Sequence, residues 1–103
     1  MIRQGDIWIE DVGEIPADAV RVQPVNGRYV VAEGEATGHA HTIEATPDVE
    51  MYERDGVLYC RVLGGGATIV HQEHAAQVLT PSIKRIVRQR VWDSANAARV
   101  VAD

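Results

Sequence analysis

The chain has 103 residues, enough for one hydrophobic core and one domain, since domains run to roughly 100–150 residues and shorter chains bury proportionally less surface. A formal net charge of −5 argues against an extended nucleic-acid surface, which needs a local excess of Lys and Arg. A single cysteine excludes an intrachain disulfide, and no run approaches the ~20 apolar residues of a membrane span, so a soluble, cytoplasmic protein with no membrane partner is expected.

The apolar residues are weighted towards Val and Ile, and Phe is absent, a composition that favours pleated sheet. The N-terminus has no apolar h-region and quickly turns acidic. The first strand is expected at 6–10 (DIWIE), where Ile7 and Ile9 alternate with Trp8 and Glu10 behind Gly5. Turn residues on both sides of 20–22 (VRV) leave a segment short enough for an edge strand. Asn26-Gly27 turns the chain into 28–33 (RYVVAE), which breaks at the Gly-flanked loop 34–38. Alternation resumes at 39–44 (HAHTIE) as a hairpin or bulged return. Strands at 49–54 and 57–63 flank Asp55-Gly56, whose left-handed preference suits a tight hairpin.

Gly64, Gly65 and Gly66 turn the chain into 67–71 (ATIVH). Segment 83–92 also fits helical spacing through Ile83, Ile86, Val87 and Val91, with Thr80-Pro81 as a helix start, but its IVRQRVW wording is β-rich and reads as strand. The Ala-rich tail 94–103 reads as a short helix or a surface that packs on a neighbouring subunit. Nothing divides residues 1–103. The expected fold is all-β, seven or eight short strands in a small antiparallel barrel or sandwich, with the barrel favoured. Cys60 should be a buried, inert thiol, and Trp8, Tyr29, Tyr52, Tyr59 and Trp92 core or interface fillers.

The four histidines fall in two pairs, each where a predicted strand meets a loop. His39 and His41 stand at i and i+2, so on a strand they share a face and converge on one ligand. His71 and His74, at i and i+3, share a side only if the chain leaves the strand for a turn. Four neutral imidazoles suffice for a divalent transition metal without any thiolate, zinc or nickel favoured over iron. Glu44 and Glu73 lie close enough in sequence to act as ligand, orienter or base, although on a regular strand Glu44 faces away from His41.

Residues 34–44 (GEATGHAHTIE) resemble the first cupin metal motif, in which a glycine precedes an HxH pair, a glutamate follows, and a third histidine comes from a later strand. That resemblance implies His39, His41, one of His71 or His74, and Glu44 as ligands of a divalent metal. The HxH-to-Glu spacing is one residue short here, and the second cupin motif is missing. RQGDIWI, GEATGHAH and IVRQR also resemble a small uncharacterised bacterial protein family, which implies no mechanism.

Three functions follow as expectations. The first is a metal-binding β-domain, including a small metalloenzyme, with His39, His41, His71 and His74 as ligands. The second is metal-independent acid/base cleavage of a phosphodiester such as RNA, with the same histidines exchanging protons and Lys84, Arg88 and Arg90 of the KRIVRQR run holding phosphate. The third is a non-enzymatic interaction module, a homo-oligomer whose histidines respond to pH.

Overall fold

A computed structural model describes residues 1–33 and 38–88 in full, and the backbone of 90–92 and 98–100. In chain order the strands are β1 (Ile2–Gln4), β2 (Ile7–Asp11), β3 (Val20–Arg21), β4 (Arg28–Glu33), β5 (Ala40–Glu44) and β6 (Val49–Arg54). They continue as β7 (Val57–Val62), β8 (Ala67–Val70), β9 (Gln77–Leu79), β10 (Ser82–Arg88), β11 (Arg90–Trp92) and β12 (Ala98–Val100). One antiparallel sheet has the order β1-β2-β10-β7-β6-β3, a second the order β4-β5-β8-β9, and β11 and β12 form a separate ribbon. Both larger orders are open-ended. The expected all-β, antiparallel fold is formed, barrel- or sandwich-like overall, with one core between the two larger sheets.

That core takes Ile7, Ile9, Met51, Cys60, Val62 and Ile86 from the six-stranded sheet and Tyr29, Ala32, Ile43, Ile69 and Leu79 from the four-stranded one. Fully burying an Ile or Leu contributes about 1.5–3 kcal/mol. The strand alternation read from sequence is visible in β2, where Ile7 and Ile9 are buried and Trp8 and Glu10 half-exposed. Within segment 83–92 the described residues 83–88 and 90–92 are strand, as the β-branched wording indicates: β10 lies between β2 and β7 and hydrogen-bonds to both. The 20–22 segment does form an edge, pairing only with β6 in its sheet.

Two hairpins follow from left-handed turn residues. Asp55 and Gly56 have φ of 52° and 78°, the positive pair a two-residue primed turn demands, and join β6 to β7 in register from Arg54↔Val57 to Val49↔Val62. Asn26 and Gly27, at 52° and 77°, close a bridge between Val25 and Arg28. The loop expected at 34–38 lies outside the described residues except for Gly38.

Three of the described strands were not expected: β1, β9 and β12. β1 and β9 have three residues each, too short to stand out as strands in the sequence. The short helix expected in the tail is replaced at 98–100 by β12, which pairs with β11 from Arg90↔Val100 to Trp92↔Ala98. Cross-strand pairing there overrides the helical preference of alanine. Residues 93–97 and 101–103 lie outside the described residues.

A bulge in β4 bears directly on the histidines. Register shifts between Val30 and Ala32, so Ala32 is buried and sits opposite His41 on β5, with Val31 half-buried against the core. The small side chain leaves room for an imidazole in the core.

Candidate functional site

His41 is the central member. On β5 it shares the inner face with Ile43, and its side chain is fully buried. β5 pairs with β8 as Thr42↔Val70 and Ile43↔Ile69. One further step of that antiparallel register sets His71, the residue after β8, opposite His41, and their ring centroids are 4.3 Å apart. The turn that the second pair required is therefore present and points the right way.

Three contacts hold the loop after β8 in place. The Gln72 side-chain oxygen accepts from the Ala40 amide at 2.9 Å, and Gln4 Nε2 donates to Ala75 O at 2.8 Å. Glu73 brings its carboxylate 3.6 Å from His39 Nδ1. The loop thereby carries His74 to 4.6 Å from His71 and 6.1 Å from His41, centroid to centroid. His39 completes the cluster at 5.6 Å from His71. All four imidazoles meet, buried at His41 and His71 and half-exposed at His39 and His74.

Beneath the cluster lies a polar network that histidine counting did not reveal. Gln4 Nε2 also donates to Ile69 O at 3.1 Å, so two backbone carbonyls fix its amide. Its oxygen must then face His41 Nδ1, which donates to it at 2.8 Å. Asp6, in the β1–β2 turn and 1% exposed, places Oδ1 3.1 Å from His41 Nε2. Its Oδ2 accepts from Arg88 Nε at 2.8 Å, and Arg88 also donates to Glu33 O. A buried carboxylate is tolerable only with such pairing. The sequence did carry a signal: alternation from Ile2 puts Gln4, a polar residue, on the core face of β1.

The histidines do not yet share a focus. Among the described residues no three His, Cys, Asp or Glu side chains are arranged to hold a metal ion as they stand. His71 Nδ1 accepts from the Glu73 amide at 3.0 Å, which is a local bond. Glu44 is exposed and faces away from His41, as strand alternation required. It lines a concavity of about 670 Å³ on the outer face of the four-stranded sheet with Arg28, Thr42 and Thr68, separate from the histidines.

The basic run is arranged differently from the phosphate-holding patch expected of it. Lys84, Ile86 and Arg88 fall on the same face of β10, turned inward, and each cation is matched by a carboxylate at one end of β2. Lys84 Nζ, 2% exposed as a residue, lies 2.6 Å from Asp11 Oδ1 and 2.8 Å from Ser82 Oγ. Arg88 is held by Asp6, and on the other face Arg85 pairs with Glu10. The arrangement has a simple cause, since a strand divides a charge run between two faces, where neighbouring acids pair with Lys84, Arg85 and Arg88. The side chain of Arg90 lies outside the described residues.

No curated protein matches the chain, and no solved structure does. One family profile matches residues 3–89, a span that holds Gln4, Asp6, all four histidines and Arg88, and it carries no cupin assignment. The chain therefore belongs to that family, described as a domain of unknown function, DUF8820.

Proposed function

We propose that the histidine cluster binds a divalent transition metal ion, zinc or nickel ahead of iron, as a small metalloprotein site. The observation that carries this reading is the meeting of the two histidine pairs. Two imidazoles bound to one ion at 2.0–2.1 Å, at near-tetrahedral angles, have ring centroids about 5 Å apart. The centroid separations here run from 4.3 to 6.1 Å, so re-aiming side chains is enough and the strands need not move.

The cost of re-aiming is small. Coordination by His71 requires giving up its local bond to the Glu73 amide, worth about 1 kcal/mol. Ion binding at a site of this kind releases on the order of 10 kcal/mol. The half-exposed His39 and His74 place the ion towards the surface, where a water can complete its coordination, as in catalytic zinc sites. The HxH pair with a later histidine is also the part of the cupin-like pattern that this chain retains. Metal-free phosphodiester cleavage is less well supported, because Lys84 and Arg88 are engaged by Asp11 and Asp6.

Elemental analysis of protein purified without chelator tests the reading. Near-stoichiometric metal is expected in the wild type, with most of it lost in His71→Ala and His74→Ala. Wild-type protein that takes up neither zinc nor nickel when both are supplied overturns it.

A further inference from the structure

We infer that Asp6 is a ligand of the same ion, and that His41 coordinates through Nε2. This rests on the metal-binding reading above and adds an oxygen donor to what histidine spacing alone suggests.

His41 has two nitrogens, and their surroundings assign them different tasks. Nδ1 donates to Gln4 Oε1, and that oxygen cannot turn away because the amide nitrogen beside it is anchored to Ile69 O and Ala75 O. A carbonyl oxygen locked on one imidazole nitrogen is the usual orienting partner of a metal-bound histidine, and it leaves the opposite nitrogen for the ion. Nε2 is the nitrogen facing Asp6 Oδ1, at 3.1 Å. Two donors each 2.0–2.2 Å from one ion, at angles of 90–110°, are themselves about 3–3.5 Å apart. The His41–Asp6 contact thus has the length of one edge of a coordination polyhedron, and an ion seated there replaces the hydrogen bond that now spans it.

The carboxylate is prepared in the same way. Its second oxygen is held by Arg88, itself fixed on the Glu33 carbonyl, so Oδ1 is presented in one orientation to the cluster. Asp6 and His41 then supply two donors with settled outer partners, and His71, His39 and His74 supply the rest by rotation. A mixed imidazole and carboxylate set suits zinc, cobalt, iron(II) and nickel, and does not suit copper(I), which prefers sulfur donors.

The test uses the full chain stripped of metal. Wild type and Asp6→Asn are titrated with Zn²⁺ and Co²⁺ in competition with a chelating indicator, and wild-type crystals grown with Zn²⁺ are measured at the zinc absorption edge. The expected results are an affinity about tenfold to a hundredfold weaker in Asp6→Asn and an anomalous peak about 2.0–2.2 Å from Asp6 Oδ1. Should Asp6→Asn fail to fold, judged by circular dichroism, the anomalous peak decides alone. Zinc bound among the histidines but more than about 3 Å from Asp6 Oδ1 overturns this inference and leaves the metal site standing. Wild type that binds no metal defeats the parent reading instead.

Discussion

Lys84 and Cys60 sit side by side on the inner face of the six-stranded sheet, opposite one another in register, and each makes a prediction at the scale of a single side chain. Burial pushes the Cys60 thiol up to about 11, despite the nearby Lys84 charge. At pH 8 about one thiol in a thousand is then ionised. Native protein should therefore react with a thiol-specific disulfide reagent far more slowly than urea-unfolded protein; equal rates would place the thiol at the surface. Lys84 depends on Asp11, whose carboxyl is held below its ordinary value of 3.8 by the hydrogen bonds from Lys84 and Ser82. A depressed carboxylate contributes stability above its unfolded value and loses it as pH falls through the folded one. Asp11→Ala should cost about 1–3 kcal/mol at pH 7, because it takes the carboxylate from a buried ammonium and leaves it the Ser82 hydroxyl, and the penalty should fade below about pH 4. Lys84→Met should cost less, since it removes the charge together with its need for a partner. Urea midpoints measure both, and an Asp11→Ala loss no greater than that of Lys84→Met would mean that the ammonium is hydrated. At this scale the sequence was half legible. The paired spacing of His39, His41, His71 and His74 exposed the cluster. Gln4 and Asp6 stayed hidden because their contacts to His41 lie 37 and 35 residues away in sequence, and the alternation that places Gln4 on the core face of β1 does not name its partner.

Elements were readable wherever local chemistry decided them. The Asp55-Gly56 turn, with both residues left-handed, located β6 and β7 to within a residue. A Cβ on Gly56 would meet nothing within 4 Å, so Gly56→Ala isolates the backbone cost. It should destabilise the fold by about 1–2 kcal/mol without changing metal uptake. A neutral result in a denaturation curve would mean that the turn relaxes to another type. β10 carried both a helical and a strand pattern, and its two neighbours decided the matter, since a strand bonded on both edges satisfies every backbone group. The bulge after Val30 was not legible, because a two-residue period cannot show where it slips. The slip nevertheless decides that Ala32 faces His41.

At the scale of the whole molecule, the histidines and Asp6 arise from different sheets. β5 and β8 deliver the imidazoles, and the β1–β2 hairpin delivers the carboxylate. An ion held by both would clip the two layers together, so its removal should be felt globally. At a free zinc concentration a hundred times the dissociation constant, the ion adds about 2.7 kcal/mol, enough to raise Tm by roughly 10 °C in a domain this size. Differential scanning fluorimetry with zinc and then with excess chelator measures the shift; a chelator-insensitive Tm would mean that no ion bridges the layers.

The hydrogen bonds beneath the cluster also fix when in its history the protein can have a site at all. Gln4 reaches Ala75, 71 residues on, and Asp6 reaches Arg88, 82 residues on. On the ribosome, the first hairpin must therefore wait until residue 88 has emerged before its partners exist. Long-range closure of this kind is slow. An ion held as proposed, by Asp6 as well as the histidines, would therefore lock the folded protein rather than seed it, and a chain truncated before Arg88 would keep all four histidines and lack the cation that holds Asp6 in place.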